Sequence, residues 1–124
     1  MRIITEQLTA TGVLTGYLLD ASPEMATATT RPAVLVLPGG GYEFCSDREA
    51  EPVAAAYLAE GFHAFVLRYA VGPHAPWEAS FTDAGAALDW LRDHAQSRCD
   101  GQNQAMHIAR MVLAGTGVVR ALAR

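Results

Sequence analysis

From residue 32 to residue 37 the chain reads Pro-Ala-Val-Leu-Val-Leu, an unbroken apolar run that stops at Pro38 and three glycines. A run of this length bounded by such residues marks a buried strand. Residues 62–69, aromatic and β-branched, predict a central strand, and residues 107–114 predict another that ends at Gly115. Shorter β-prone runs at 3–8 and 13–19, separated by Thr9-Ala10-Thr11-Gly12, predict a hairpin or two meandering strands. Helical spacing appears between the apolar runs. Val53, Ala56 and Tyr57 share one face of a helix expected over 48–60 and stopped by Gly61, while Phe81, Ala84, Leu88 and Leu91 recur along a second over 80–95. Ser46 and Glu49 have the spacing of a capping box at the start of the first helix. Residues 22–31, 71–77 and 99–105 read as loops, and 116–124 as a helix start with Thr116 as its cap. The order β-β-β-α-β-α-β makes the last three strands parallel. The expected fold class is α/β in three layers, a partial, mostly parallel sheet with helices on both faces.

Composition narrows the class of function. With 51% hydrophobic and 18% charged residues in 124, the chain can build the core of one domain, 1–124. Its 13 acidic and 9 basic residues are interspersed, which leaves no basic stripe for nucleic acid and no polybasic cluster for a membrane surface. No apolar run is long enough to span a bilayer, and the N-terminus lacks the pattern of a secretory signal. Cys45 and Cys99 stand in no metal or redox spacing and read as free thiols of a reducing compartment, so the cytoplasm is expected.

The chemistry concentrates in Gly39-Gly40-Gly41-Tyr42. Residues without a Cβ at the end of a buried strand expose backbone N–H groups to a ligand, and such donors stabilise an oxyanion. Gly40 and Gly41 are the expected donors. Gly39, Tyr42 and Trp77 are candidates for lining an acyl or sugar pocket at the C-terminal ends of the strands. The plainer alternatives are a simple turn for the glycines and core or rim packing for the two aromatic residues. Phe44 stands where a dinucleotide-binding G-x-G-x-x-G would need its last glycine, and no phosphate-binding G-x-x-x-x-G-K-[ST] occurs. His63, His74, His94 and His107 have no metal-ligand spacing, so no metal site is expected. Cys45 reads as a packing cysteine, Asp83 as a first-turn acid facing a helix N-terminus, Asp89 as part of a solvated face, and His94 as a favourable group at a helix C-terminus.

The Pro38-Gly39-Gly40-Gly41-Tyr42 loop followed by Arg48-Glu49, together with the strand ending Leu67-Arg68-Tyr69, resembles the small esterases of the α/β-hydrolase superfamily, the branch of acetyl-xylan esterase-like proteins, carboxylesterases and lipases. Pro38 stands where many of those proteins carry His. The resemblance extends over 1–115 and implies hydrolysis of small esters through a serine acyl-enzyme, with neither metal nor cofactor. It places Met111-Val112-Leu113-Ala114 before a G-x-S-x-G elbow, with Gly115 at the first glycine, Gly117 at the serine and Val119 at the second glycine. No catalytic residue is therefore assigned, since the acid and histidine follow the elbow in this fold. A complete domain of the kind takes about 200 to 250 residues. The expectation is an N-terminal half with an aberrant end at 116–124, inactive by itself. Its alternatives are a non-catalytic module for an acyl group or carboxylate, or one half of a split esterase completed by another chain. Self-association is expected from a last strand without a neighbour and from sheet surface at 34–37 and 65–67 left open to water.

Overall fold

The computed structural model describes residues 1–22, 24, 31–73, 75, 77–94, 98–99, 104–105 and 108–115. Its central strand is β3 (Arg31–Leu37), buried from Ala33 onward. β3 pairs in parallel with β4 (His63–Arg68) on one side and with β7 (Ile108–Gly115) on the other. β1 (Arg2–Gln7) and β2 (Val13–Leu18) form an antiparallel hairpin joined through β2 to β4, and the sheet runs β1-β2-β4-β3-β7. The three expected parallel strands are thus neighbours, with β7 at an edge.

A strand apolar on both faces needs cover on both. Ala33, Leu35 and Leu37 pack with Phe65 and Leu67 against Ala84, Ala87 and Leu91 of α2 (Trp77–His94). Val34 and Val36 pack with Ala64 and Val66 against Ala54 of α1 (Glu51–Ala59) on the opposite face. The open sheet surface expected at 34–37 and 65–67 is therefore absent: no side chain in either run is more than 4% exposed. Two helices suffice to cover these strands, and each large side chain so buried contributes about 1.5–3 kcal/mol. Gly16 lies opposite Phe65 in the β2–β4 register, and a Cβ there would come 2.8 Å from the Phe65 ring, so its absence makes room for the largest buried side chain.

The helix starts differ from expectation. Ser46 has extended backbone but its side chain makes no capping bond, and residues Asp47–Glu49 form a single 3-10 turn. The capping box is not formed. α1 begins at Glu51, with Pro52 in its first turn, where a missing N–H costs nothing and a fixed φ favours helix entry. α2 begins at Trp77, so Asp83 is not in its first turn. Asp83 is instead 1% exposed, on the apolar face it shares with Ala84, Ala87 and Leu91. A carboxylate removed from water must be hydrogen-bonded. It accepts from Thr9 Oγ1 at 2.5 Å, Thr11 Oγ1 at 2.8 Å and the Ala70 N–H at 2.8 Å, which fastens the β1–β2 turn and the exit of β4 to α2. Asp89 is exposed beside Arg92, and His94 in the last turn of α2 donates from Nδ1 to the Trp90 carbonyl at 2.8 Å. The expected loop at 99–105 holds a short antiparallel pairing of β5 (Arg98–Cys99) with β6 (Gln104–Ala105). The readings of His74, His107, Thr116, Gly117, Val119 and the Cys99 side chain lie outside the described residues, as does the whole of 116–124. Among the described residues, no helix is long and apolar enough to cross a membrane.

Two stability predictions follow from buried polar groups. Asp83→Asn keeps the shape but sets an amide N–H₂ against one of three donors, so it should cost about 1.5–3 kcal/mol in urea unfolding; an unchanged midpoint would show that the carboxylate is not fastening these segments. His63, at the start of β4 and 5% exposed, accepts the Leu19 N–H on Nδ1 at 3.2 Å and must be neutral to do so. Burial first, then the charges of Arg31 and Arg2, holds its pKa down to about 4. The unfolded chain takes up this proton near pH 6.5 and the folded chain only near 4, so stability present above 6.5 is lost as pH falls through that window, by about 3 kcal/mol. The unfolding midpoint of the unaltered chain should fall more steeply between pH 6.5 and 4 than that of His63→Gln; parallel profiles would remove His63 as the cause.

Candidate functional site

β3 delivers the chain into Pro38 and Gly39, both still buried, and then into Gly40, Gly41 and Tyr42, progressively open to solvent. Gly41 and Tyr42 both take left-handed backbone, at φ 65° and 64°, and Tyr42 is a side-chain-bearing residue held where only glycine is at ease. At Gly40 a Cβ would collide with the Phe44 carbonyl oxygen. These two glycines are required by the turn.

The turn is closed by carbonyls. The Gly39 carbonyl accepts the Ser46 N–H at 2.8 Å, the Gly40 carbonyl accepts the Glu43 N–H at 3.2 Å, and the Pro38 carbonyl accepts the buried hydroxyl of Tyr69. In a planar trans peptide the C=O of one residue and the N–H of the next point in opposite directions. Each carbonyl held within the loop therefore sends the following N–H the other way. For Gly40 and Gly41 no backbone acceptor among the described residues takes that N–H. Gly39 is buried, which leaves Gly40 and Gly41 as the accessible pair. The loop is also tied to the exit of β4, where the Gly72 N–H donates to the Tyr42 carbonyl at 2.8 Å.

The Leu37–Gly115 register sets the glycine loop beside the end of β7. The loop thus lies near the region where the chain leaves a neighbouring parallel strand, the usual place for a site in a sheet of this kind. Tyr42 and Phe44 are exposed there. Trp77 is 62% exposed at the first residue of α2, where its ring neighbour among the described residues is Phe81, edge-on at 6.2 Å, and not Tyr42. Gly39, Gly40, Gly41 and Tyr42 lie together in one turn, and the ring partner of Trp77 is on its own helix. A groove of about 530 Å³ between α1 and β2, lined by Tyr17, Pro52, Ala54 and Leu58 with Asp47 and Glu51 beside them, contains none of the five.

Cys45 is half-buried, with its thiol toward the Tyr69 carbonyl at 3.8 Å. Burial pushes its pKa up, the opposite of what an activated nucleophile needs. His63 and His94, the histidines among the described residues, are committed to Leu19 and Trp90. Among the described residues no group of three or more His, Cys, Asp or Glu is placed to hold a metal ion.

Sequence reasoning missed Tyr69 and the role of Asp83. Tyr69 continues the buried stripe of Phe65 and Leu67, so its hydroxyl ends a core and needs a partner. Asp83 interrupts the apolar face of α2, which is the same kind of signal.

No family model matches the sequence, and neither does any curated protein. Solved structures do. MGS-M1, an α/β hydrolase enzyme from a Medee basin deep-sea metagenome library, is 44% identical with a TM-score of 0.79, over 91% of this chain and 45% of its own. The carboxylesterase Cest-2923 from Lactobacillus plantarum WCFS1 is 30% identical with a TM-score of 0.76, over 93% of this chain and 42% of its own. An acetyl ester-xyloside bifunctional hydrolase from Caldicellulosiruptor lactoaceticus is 30% identical with a TM-score of 0.67, over 86% of this chain and 34% of its own. The chain spans less than half the length of each of these proteins. Nearly all of it matches enzymes of one fold, and the chain accordingly belongs to the α/β-hydrolase superfamily, of whose fold it forms the N-terminal part.

Proposed function

We propose that these residues supply the oxyanion-binding loop of an esterase that cleaves small carboxylic esters of acetyl type through a serine acyl-enzyme, and that the 124-residue chain alone binds a small carboxylate without turning an ester over. The observation that carries this reading is the pairing of the Gly39 and Gly40 carbonyls within the loop, with no backbone acceptor among the described residues for the Gly40 and Gly41 N–H groups, at the end of β3 and beside the end of β7. Two N–H donors fixed before reaction suit the negative oxygen of a tetrahedral intermediate. Tyr42, exposed beside them, would line the acyl side. Trp77 would serve as an outer rim residue. The reading needs neither metal nor cofactor, and the unpaired thiol of Cys45 supports a reducing, cytoplasmic setting.

Inactivity of the isolated chain rests on Gly117 at the position that the elbow gives to serine. An oxyanion loop and binding without the triad leave an acceleration of about 10³ to 10⁴-fold over water. A second reading, favoured by the edge position of β7, is that another chain pairs with that edge and brings the nucleophile.

In an NMR titration with sodium acetate, the Gly40 and Gly41 amide signals should shift and saturate in the millimolar range. Gly40→Ala should abolish the shift, because its Cβ cannot be accommodated beside Phe44. With p-nitrophenyl acetate the chain should give neither turnover nor a burst. Acetate shifts elsewhere but not at Gly40 and Gly41 would reject the loop as the site, and a stoichiometric burst lost in Cys45→Ala would replace the serine-type reading with a thiol one.

A further inference from the structure

We propose that Tyr69 is the positioning residue of the glycine loop: its hydroxyl, by holding the Pro38 carbonyl, fixes the first of the peptide planes from which the Gly40 and Gly41 N–H groups take their direction. The inference rests on the loop being the anion site proposed above, and it concerns what sets the geometry of that site.

Pro38 has neither an N–H nor a side-chain donor, so at the top of β3 its carbonyl is the one polar group by which this residue can be held. Tyr69 reaches it from the neighbouring strand's exit, 31 residues away in sequence, by a hydrogen bond that is buried. The phenol is itself held from behind. Its ring packs in the core with Leu37 and Leu67, and the next peptide N–H, that of Ala70, donates to the buried carboxylate of Asp83 at 2.8 Å. On its other side the Tyr69 carbonyl faces the Cys45 thiol, and Gly72, three residues on, donates to the Tyr42 carbonyl. The segment 69–72 therefore grips both ends of the glycine loop, at Pro38 and at Tyr42, while Ser46 and Glu43 close it from within. Released from Tyr69, the Pro38–Gly39 plane is free to rotate about glycine torsions that have no Cβ to restrain them. The N–H pair would then be averaged over directions, and preorganisation is what gives such donors their value.

Burial pushes the Tyr69 pKa up to about 12, so the hydroxyl remains a neutral donor throughout the ordinary pH range. The ionisable groups Cys45, Tyr42 and Glu49 act in the same direction.

The test compares ¹⁵N-labelled unaltered chain with Tyr69→Phe, which removes one oxygen and leaves the ring. Tyr69→Phe should keep the amide signals of β1, β2 and β4 while those of Gly40 and Gly41 shift or broaden, and acetate affinity read at those amides should fall about tenfold, the worth of one well-aligned hydrogen bond. Unchanged Gly40 and Gly41 signals with unchanged acetate affinity overturn the proposal. Should the unaltered chain show no acetate response at all, the anion-site reading fails, and the two glycine signals in Tyr69→Phe still decide whether Tyr69 sets the loop. Ser46→Pro guards against a Tyr69→Phe chain that does not fold. Ser46 already has φ −68°, a value proline adopts, and its hydroxyl makes no capping bond, so the substitution chiefly removes the N–H that holds the Gly39 carbonyl. Loss of acetate binding with a displaced Gly40 signal supports control by anchored carbonyls, and retention of both overturns it.

Discussion

The fold depends on β3 being apolar on both faces. Such a strand cannot lie at a surface, so it takes a parallel neighbour on each side and a helix above and below. That arrangement has a consequence at its exit. The chain leaves a dry core at Pro38, and the carbonyls there must find donors before they reach water. They find them in Tyr69, Ser46 and Glu43. Holding these carbonyls within the loop points the next N–H groups away from them, which is the geometry that the proposed anion site needs. Glycine is needed because the turn is too tight at Gly40 for a Cβ and too left-handed at Gly41.

Asp83 carries that geometry to the rest of the molecule. Its carboxylate joins the β1–β2 turn and the exit of β4 to α2, which otherwise packs on the sheet through its apolar face. Apolar contacts resist separation but fix direction weakly, whereas three converging hydrogen bonds to a buried charge fix it well. Segment 69–72, one end of which lies at this carboxylate, then holds the glycine loop. The loop thus takes part of its rigidity from a polar knot in the core, beside the hydrogen bonds that close it from within.

This division explains what could be read from sequence. Strands 31–37 and 63–68 were legible because burial on both faces leaves largely apolar runs, strand 108–115 because its sequence from Met111 to Ala114 is apolar, and the glycine loop because three consecutive glycines after such a run have few other uses. The entry to α1 was misread because Ser46 and Glu49 match a capping pattern, while Pro52, three residues beyond Glu49, in fact sets where the helix can begin. Asp83 was misplaced by the same kind of error, a helix start set three residues late, which made a buried carboxylate look like a first-turn acid. Tyr69 could be placed on a strand but not assigned a partner, since its acceptor is a backbone carbonyl 31 residues earlier and backbone acceptors leave no mark in sequence. The covered sheet faces were not anticipated because an expectation of missing helices outweighed the two helices already visible.

The charge around the loop bears on what kind of ligand two N–H groups can hold. No basic side chain joins Gly40 and Gly41 in their turn; Arg68, at the end of β4, is engaged by Asp47 at 2.9 Å, and Glu43 lies within the turn itself. In a chain of net charge −4, a resting anion gains little from such surroundings and pays their repulsion. Negative charge that arises on a bound neutral ester is a different case, because the ester enters without that repulsion and the donors are already aligned when the charge appears. Binding that is weak for a carboxylate and stronger for an oxyanion formed in place is the differential that catalysis requires. A loop evolved for tight capture of carboxylates would be expected to recruit Arg or Lys, with their charge-assisted bonds, and backbone donors within the turn agree better with the proposed reaction chemistry than with storage or sensing of an acid.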